Sequence, residues 1–107
     1  MSLGAMVHQG FSMAATVAWQ WDENKRKTNL AKHGLDFVYV GVIFADVNAI
    51  EIIDNRKNYG EIRKRIIGKY SDKAIVVVVH TDRSGIARII SMRPANKKER
   101  SLYYGNS

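Results

Sequence analysis

Five consecutive β-branched residues, Ile75-Val76-Val77-Val78-Val79, lie between Ser71-Asp72-Lys73 and Asp82-Arg83-Ser84-Gly85, two segments with turn chemistry. Such side chains suit a pleated, packed surface, and the run contains no polar alternate that water would accept. Residues 74–81 are therefore predicted to be a central strand covered on both faces. A central strand needs neighbours, and the two turns are short enough for hairpins. They supply Glu61–Tyr70 before the run and Ile86–Arg93 after it. Ala49–Asp54 reads as a further strand, followed by a polar loop through Gly60. With 107 residues, the chain has the length of one domain.

Helices are expected on either side of these strands. Val17–Trp21 reads as an opening strand. Asp22 is then a good N-cap for a helix to His33, with Glu23 at its start, Lys32-His33 at its end and Gly34 as the stop. Asp36 marks the start of a second helix, Phe37 to Ala45. Its β-branched and aromatic content favours a strand, but Phe37, Val40, Gly41 and Phe44 follow helical spacing, and we read it as helix. Pro94 suits the first turn of a closing helix over Ala95–Tyr104. Residues 1–12, which begin Met-Ser-Leu, read as an added leader or disordered extension, leaving 13–107 as a single domain. The order β-α-α-β-β-β-β-α predicts an α+β fold, an antiparallel sheet of four to five strands with two N-terminal helices and one C-terminal helix.

Several chemistries are poorly supplied. The chain has no cysteine, so thiol catalysis and cysteine-bound metals are excluded. His8, His33 and His80 are far apart in sequence with no ligand spacing, and no glycine-rich phosphate loop occurs, so neither metal nor cofactor is expected. No apolar run approaches the ~18 residues of a membrane span, and the first cation is Lys25, so a signal peptide's basic start is missing. A soluble, cytoplasmic protein is the expectation.

Charge is more informative. Residues 1–55 carry four cations against six acids; residues 56–107 carry thirteen against four. That segregation suits a polyanion, although a basic soluble surface also accounts for it. Strand parity sharpens the picture. With even hairpin turns, Ile62, Lys64, Ile66, Ile75, Val77, Val79, Ile90 and Met92 share a core face, which also takes Arg88. Arg63, Arg65, Val76, Val78, His80, Ile89, Ser91 and Arg93 share the other. Arginines with a histidine on a half-open face suit phosphodiester cleavage: guanidinium stabilises a pentacoordinate phosphorane and imidazole moves the proton. A bulge or an odd turn would exchange the sets and bring Arg88 to the polar face. Plainer readings exist for each: a hydrogen-bonded rim histidine at His80, a solvated strand edge at Arg63 and Arg65, a solvated helix face at Lys25, Lys32 and His33. As a strand-terminal polar residue, Arg93 is expected to contribute roughly within 1 kcal/mol to stability.

The stretches Trp21-Asp22-Glu23-Asn24-Lys25, Asn29-Leu30-Ala31-Lys32-His33-Gly34-Leu35-Asp36-Phe37, Gly60-Glu61-Ile62-Arg63 and Arg88-Ile89-Ile90-Ser91-Met92-Arg93 resemble BrnT-type toxins of bacterial toxin–antitoxin pairs. The resemblance spans about residues 17–104. Lys25, Lys32, His33, Glu61, Arg63, Arg88, Arg93, Glu99 and Arg100 fall on the family pattern. Lys64 and Arg65 stand where apolar residues are more usual, and Pro94 where a basic residue is common. The resemblance implies a RelE-like ribonuclease fold, metal-independent RNA cleavage and neutralisation by a BrnA-type antitoxin, with operator DNA met only through the antitoxin complex. Together with the parity argument, it points to Arg63, Arg88 and Arg93 for phosphate, His80 for proton transfer, and Lys25, Lys32, His33, Arg65, Lys97, Lys98 and Arg100 for holding RNA. The alternatives are a non-catalytic nucleic-acid-binding module and an interaction domain for an acidic partner.

Overall fold

The computed structural model describes residues 6–11, 16–54 and 60–105. The valine run is central, as expected. Strand β5 (Ala74–Arg83) lies between β4 (Arg63–Ser71) and β6 (Ile86–Pro94), antiparallel to both, with Val76, Val77 and Val78 fully buried. β3 (Ile50–Asp54) extends the sheet beyond β4. On the other side β2 (Thr16–Trp21) pairs with the first residues of β6, and this pair is parallel, where the sequence predicted an antiparallel sheet. The expected α+β order is preceded by one more strand. β1 (Met6–Phe11), inside the segment set aside as leader, pairs antiparallel with β2 and gives a six-stranded order β1-β2-β6-β5-β4-β3.

Helix α1 (Glu23–His33) is capped as its sequence dictates. The Asp22 carboxylate accepts from the N–H of Asn24 at 2.8 Å, and the chain turns off at Gly34, whose φ of 68° needs a residue without Cβ. The second expected helix is divided: Asp36 caps a 3₁₀ turn, Phe37–Tyr39, which leads into the short α2 (Val40–Phe44). Phe37, Val40 and Ile43 are fully buried at helical spacing, so packing outweighs the strand propensity of this stretch. The closing helix α3 (Lys97–Gly105) begins later than expected. Pro94 still belongs to β6, opposite Val76, and Ala95 N–H donates to Ile75 C=O at 2.9 Å.

Two bulges decide which side chains share a face. Both hairpins leave their turns in the expected parity, with Ser71 opposite Ala74 and Arg83 opposite Ile86. The second turn has Ser84 and Gly85 at φ 52° and 81°, the positive pair that a type I′ hairpin needs. Parity then changes. Tyr70 is an extra residue in β4, so Lys69 faces Ile75 and every pair beyond it is shifted; Ile90 is extra in β6, between Ile89 opposite His80 and Ser91 opposite Val79. The face assignments are corrected accordingly. Val76, Val78, His80 and Ile89 lie with Ile66 and Met92 on a first face, where Trp19, Trp21, Phe37, Val40 and Ile43 complete the main core. Val77 lies on the second face, where Ile67 and Ile75 pack against Ala95 and Tyr103 of the α3 segment.

Candidate nucleic-acid interface

Beyond the part covered by α3, the second face is polar. Arg63 and Arg65 alternate on β4; across the sheet Arg65 is opposite Val79, Val79 opposite Ser91, Val77 opposite Arg93 and Thr81 opposite Arg88. The Ile90 bulge is what brings Arg88 onto the same face as Arg93, resolving a conflict that strand parity left open. All four arginines are half-buried. Among the described residues, Arg88 makes no hydrogen bond or ion pair, so its guanidinium is unengaged.

Arg93 and Arg65 are held by a residue given no role in the sequence reading. Glu99, 3% exposed, accepts from Arg93 Nη1 and Nη2 at 2.8 Å each and from Arg65 Nη1 at 3.1 Å. Its backbone and carboxylate also close a capping box with Asn96, at 2.8 and 2.9 Å. The paired Arg93 guanidinium, opposed by burial, pulls the Glu99 carboxyl down to about 2. The Asn96-x-x-Glu99 spacing was a legible capping signal for α3; the two arginines it would meet were not. Arg93 therefore bridges β6 and α3 through Glu99, a contact that its place at a strand end did not announce.

His80 is not brought to the arginines. It is 2% exposed on the first face, edge-on to Phe44 with ring centroids 5.6 Å apart. Nδ1 lies 3.1 Å from Asp82 Oδ1, and Asp82 pairs with Lys64 at 2.8 Å. Nε2 is buried with no hydrogen-bond partner among the described residues. Burial outweighs the Asp82 charge and lowers the imidazole pKa.

Apart from Arg65 on β4, the expected RNA-holding residues divide between the two helices α1 and α3. Lys25, Lys32 and His33 line one groove of about 330 Å³ between α1 and β6, together with Asn24, Thr28 and Ser91. Buried Asn29 also lines it, and fixes the helix by donating to Met92 C=O at 2.8 Å and accepting from Met92 N–H at 3.0 Å. Ser91 makes this groove continuous with the arginine face. Lys97 and Lys98 are exposed in the first turn of α3, while Arg100 donates to Ala95 C=O at 2.8 Å. None of the three joins the Glu99 cluster.

The profile of the family described as "Ribonuclease toxin, BrnT, of type II toxin-antitoxin system" matches residues 21–99. The chain belongs to the BrnT family. The 1.1 Å crystal structure of the Brucella abortus ribonuclease toxin BrnT is similar to it at 33% identity and a TM-score of 0.55, over 72% of this chain and 94% of that one. No curated protein matches the chain. The BrnT match ends at Glu99, so it includes both bulges, all four arginines and the carboxylate that holds two of them. Among the described residues, no helix is long and apolar enough to cross a membrane.

Proposed function

We propose that this BrnT-family chain is a metal-independent endoribonuclease acting on RNA in the cytoplasm, and that a cognate BrnA-type antitoxin neutralises it. The supporting observation is the convergence of Arg63, Arg65, Arg88 and Arg93 on one open sheet face beside a groove lined by Lys25 and Lys32. The reaction that suits this face is attack by the RNA 2′-hydroxyl on the adjacent phosphorus. The P–O5′ bond breaks, leaving a 2′,3′-cyclic phosphate and a 5′-hydroxyl. The attacking hydroxyl gives its proton to water, and the departing oxygen takes one from water.

Arg88 carries the largest share in this reading, because its guanidinium is free to bind the developing phosphorane bidentately. Arg65 and Arg93, already oriented by Glu99, add fixed positive charge behind it. His80 has no part, since it lies on the opposite face. Operator DNA is met through the antitoxin complex alone. The test is digestion of single-stranded RNA by substoichiometric protein in EDTA, with termini identified. Multiple turnover to cyclic phosphate ends is expected. RNA retarded on a gel without turnover would leave a binding module, and turnover restored only by a divalent ion would end the metal-free mechanism.

A further inference from the structure

The groove between α1 and β6 is not built like a plain phosphate cradle. On α1, Asn24, Thr28 and Lys32 form one ladder at i, i+4 spacing, and Lys25, Asn29 and His33 form the next, so both ladders face the same space. Asn29 is committed to the β6 backbone and holds the helix at a set distance from Ser91. Among the described residues, the side chains of Asn24, Thr28, His33 and Ser91 make no hydrogen bond, and Lys25 and Lys32 no ion pair. The groove thus presents uncharged donors and acceptors, and an imidazole plane, alongside two cations.

Lys25 and Lys32 stand about 10 Å apart along the helix axis, too far to share one phosphate, and Thr28 lies between them. The volume of about 330 Å³ is at the small end of ligand sites and suits one base better than a base pair. Proteins that read RNA do so chiefly on unstacked bases, hydrogen-bonding the edge and stacking on an aromatic or imidazole plane. On the ribonuclease reading above, we propose that this groove is a nucleobase subsite. It takes the base of one unpaired nucleotide beside the scissile phosphate, with Asn24 and Thr28 reading its edge, His33 stacking on it, and Lys25 and Lys32 holding the phosphates on either side. Ser91, on the strand between Arg88 and Arg93, joins this subsite to the arginine face.

The test is an abasic scan. Short single-stranded RNAs, each lacking one base at a successive position, are measured for affinity against the full chain and against an Asn24→Ala/Thr28→Val variant. Cleavage of the same RNAs is scored in parallel. For the parent, removal of the base at one position is expected to weaken binding about tenfold or more, with the other positions near neutral. For the variant, with melting temperature and intact-fold spectrum matched to the parent, that penalty is expected to fall to threefold or less. Equal affinities along the scan in the parent, or an undiminished penalty in the variant, would overturn the subsite. The ribonuclease reading is judged separately. An abasic penalty without turnover leaves the groove and removes the enzyme; turnover with a flat scan leaves the enzyme and removes the groove.

Discussion

The two faces of one sheet treat their ionisable side chains in opposite ways. On the first face, where Phe44 of α2 packs against it, His80 is 2% exposed and has one carboxylate partner, Asp82, whose side chain is 44% exposed and shared with Lys64. Desolvation wins there and disfavours the protonated imidazole. On the other face Glu99 is 3% exposed, yet two guanidinia and a backbone N–H meet its carboxylate, and charge pairing wins. Burial alone therefore does not decide whether a group is charged here. What decides is how many fixed opposite charges or donors are buried with it.

The comparison is broken most sharply at Arg88, the unengaged guanidinium of the polar face. Arg88→Ala is expected to lower single-turnover RNA cleavage by about 10²–10³ while stability stays within about 0.5 kcal/mol. Full activity in this variant would take Arg88 out of the site. Arg93→Ala reads the same face in the other currency, stability. It leaves a buried carboxylate with one guanidinium, so a loss of about 2–4 kcal/mol in urea unfolding is expected. A loss below about 1 kcal/mol would mean that Arg65 alone satisfies Glu99.

Acid separates the two faces. Burial holds the folded His80 pKa below the usual imidazole value of about 6.5, so the unfolded chain binds the extra proton and stability declines as pH falls below about 6.5. Glu99 is lowered from 4.5 to about 2, so its contribution is intact above 4.5 and is lost between 4.5 and 2. By linkage that second loss is about 3 kcal/mol. Thermal melts against pH should show both declines in the parent, and His80→Gln should remove the upper one alone. Persistence of the upper decline in that variant would assign it elsewhere. The smallest effect belongs to Lys97, exposed on α3 and outside the arginine cluster. Lys97→Ala should weaken RNA binding slightly and reduce the salt slope by about one, with the cleavage rate of bound RNA unchanged. A slower cleavage step would place Lys97 at the reacting phosphate.

The sequence by itself determined the order of the elements from β2 onward and most of their punctuation. Asp22, Gly34 and Asp36 cap or stop segments through local hydrogen bonds and backbone angles, and the Ser84-Gly85 turn is a two-residue matter. Such features depend on a few neighbouring residues, so they are legible in a string. The faces were not. Strand parity is read from polar alternation, and β5, buried on both sides, has none across Ile75–Val79; nothing local marks Tyr70 or Ile90 as the extra residue in its strand. Only the tertiary structure decided those bulges, because a bulge is stable when the side chains it redirects find their layers: Trp19, Phe37 and Ile43 over one face, Tyr103 and Glu99 over the other. That packing turned His80 into the core, brought Arg88 beside Arg93, and set a carboxylate from α3 against arginines from β4 and β6.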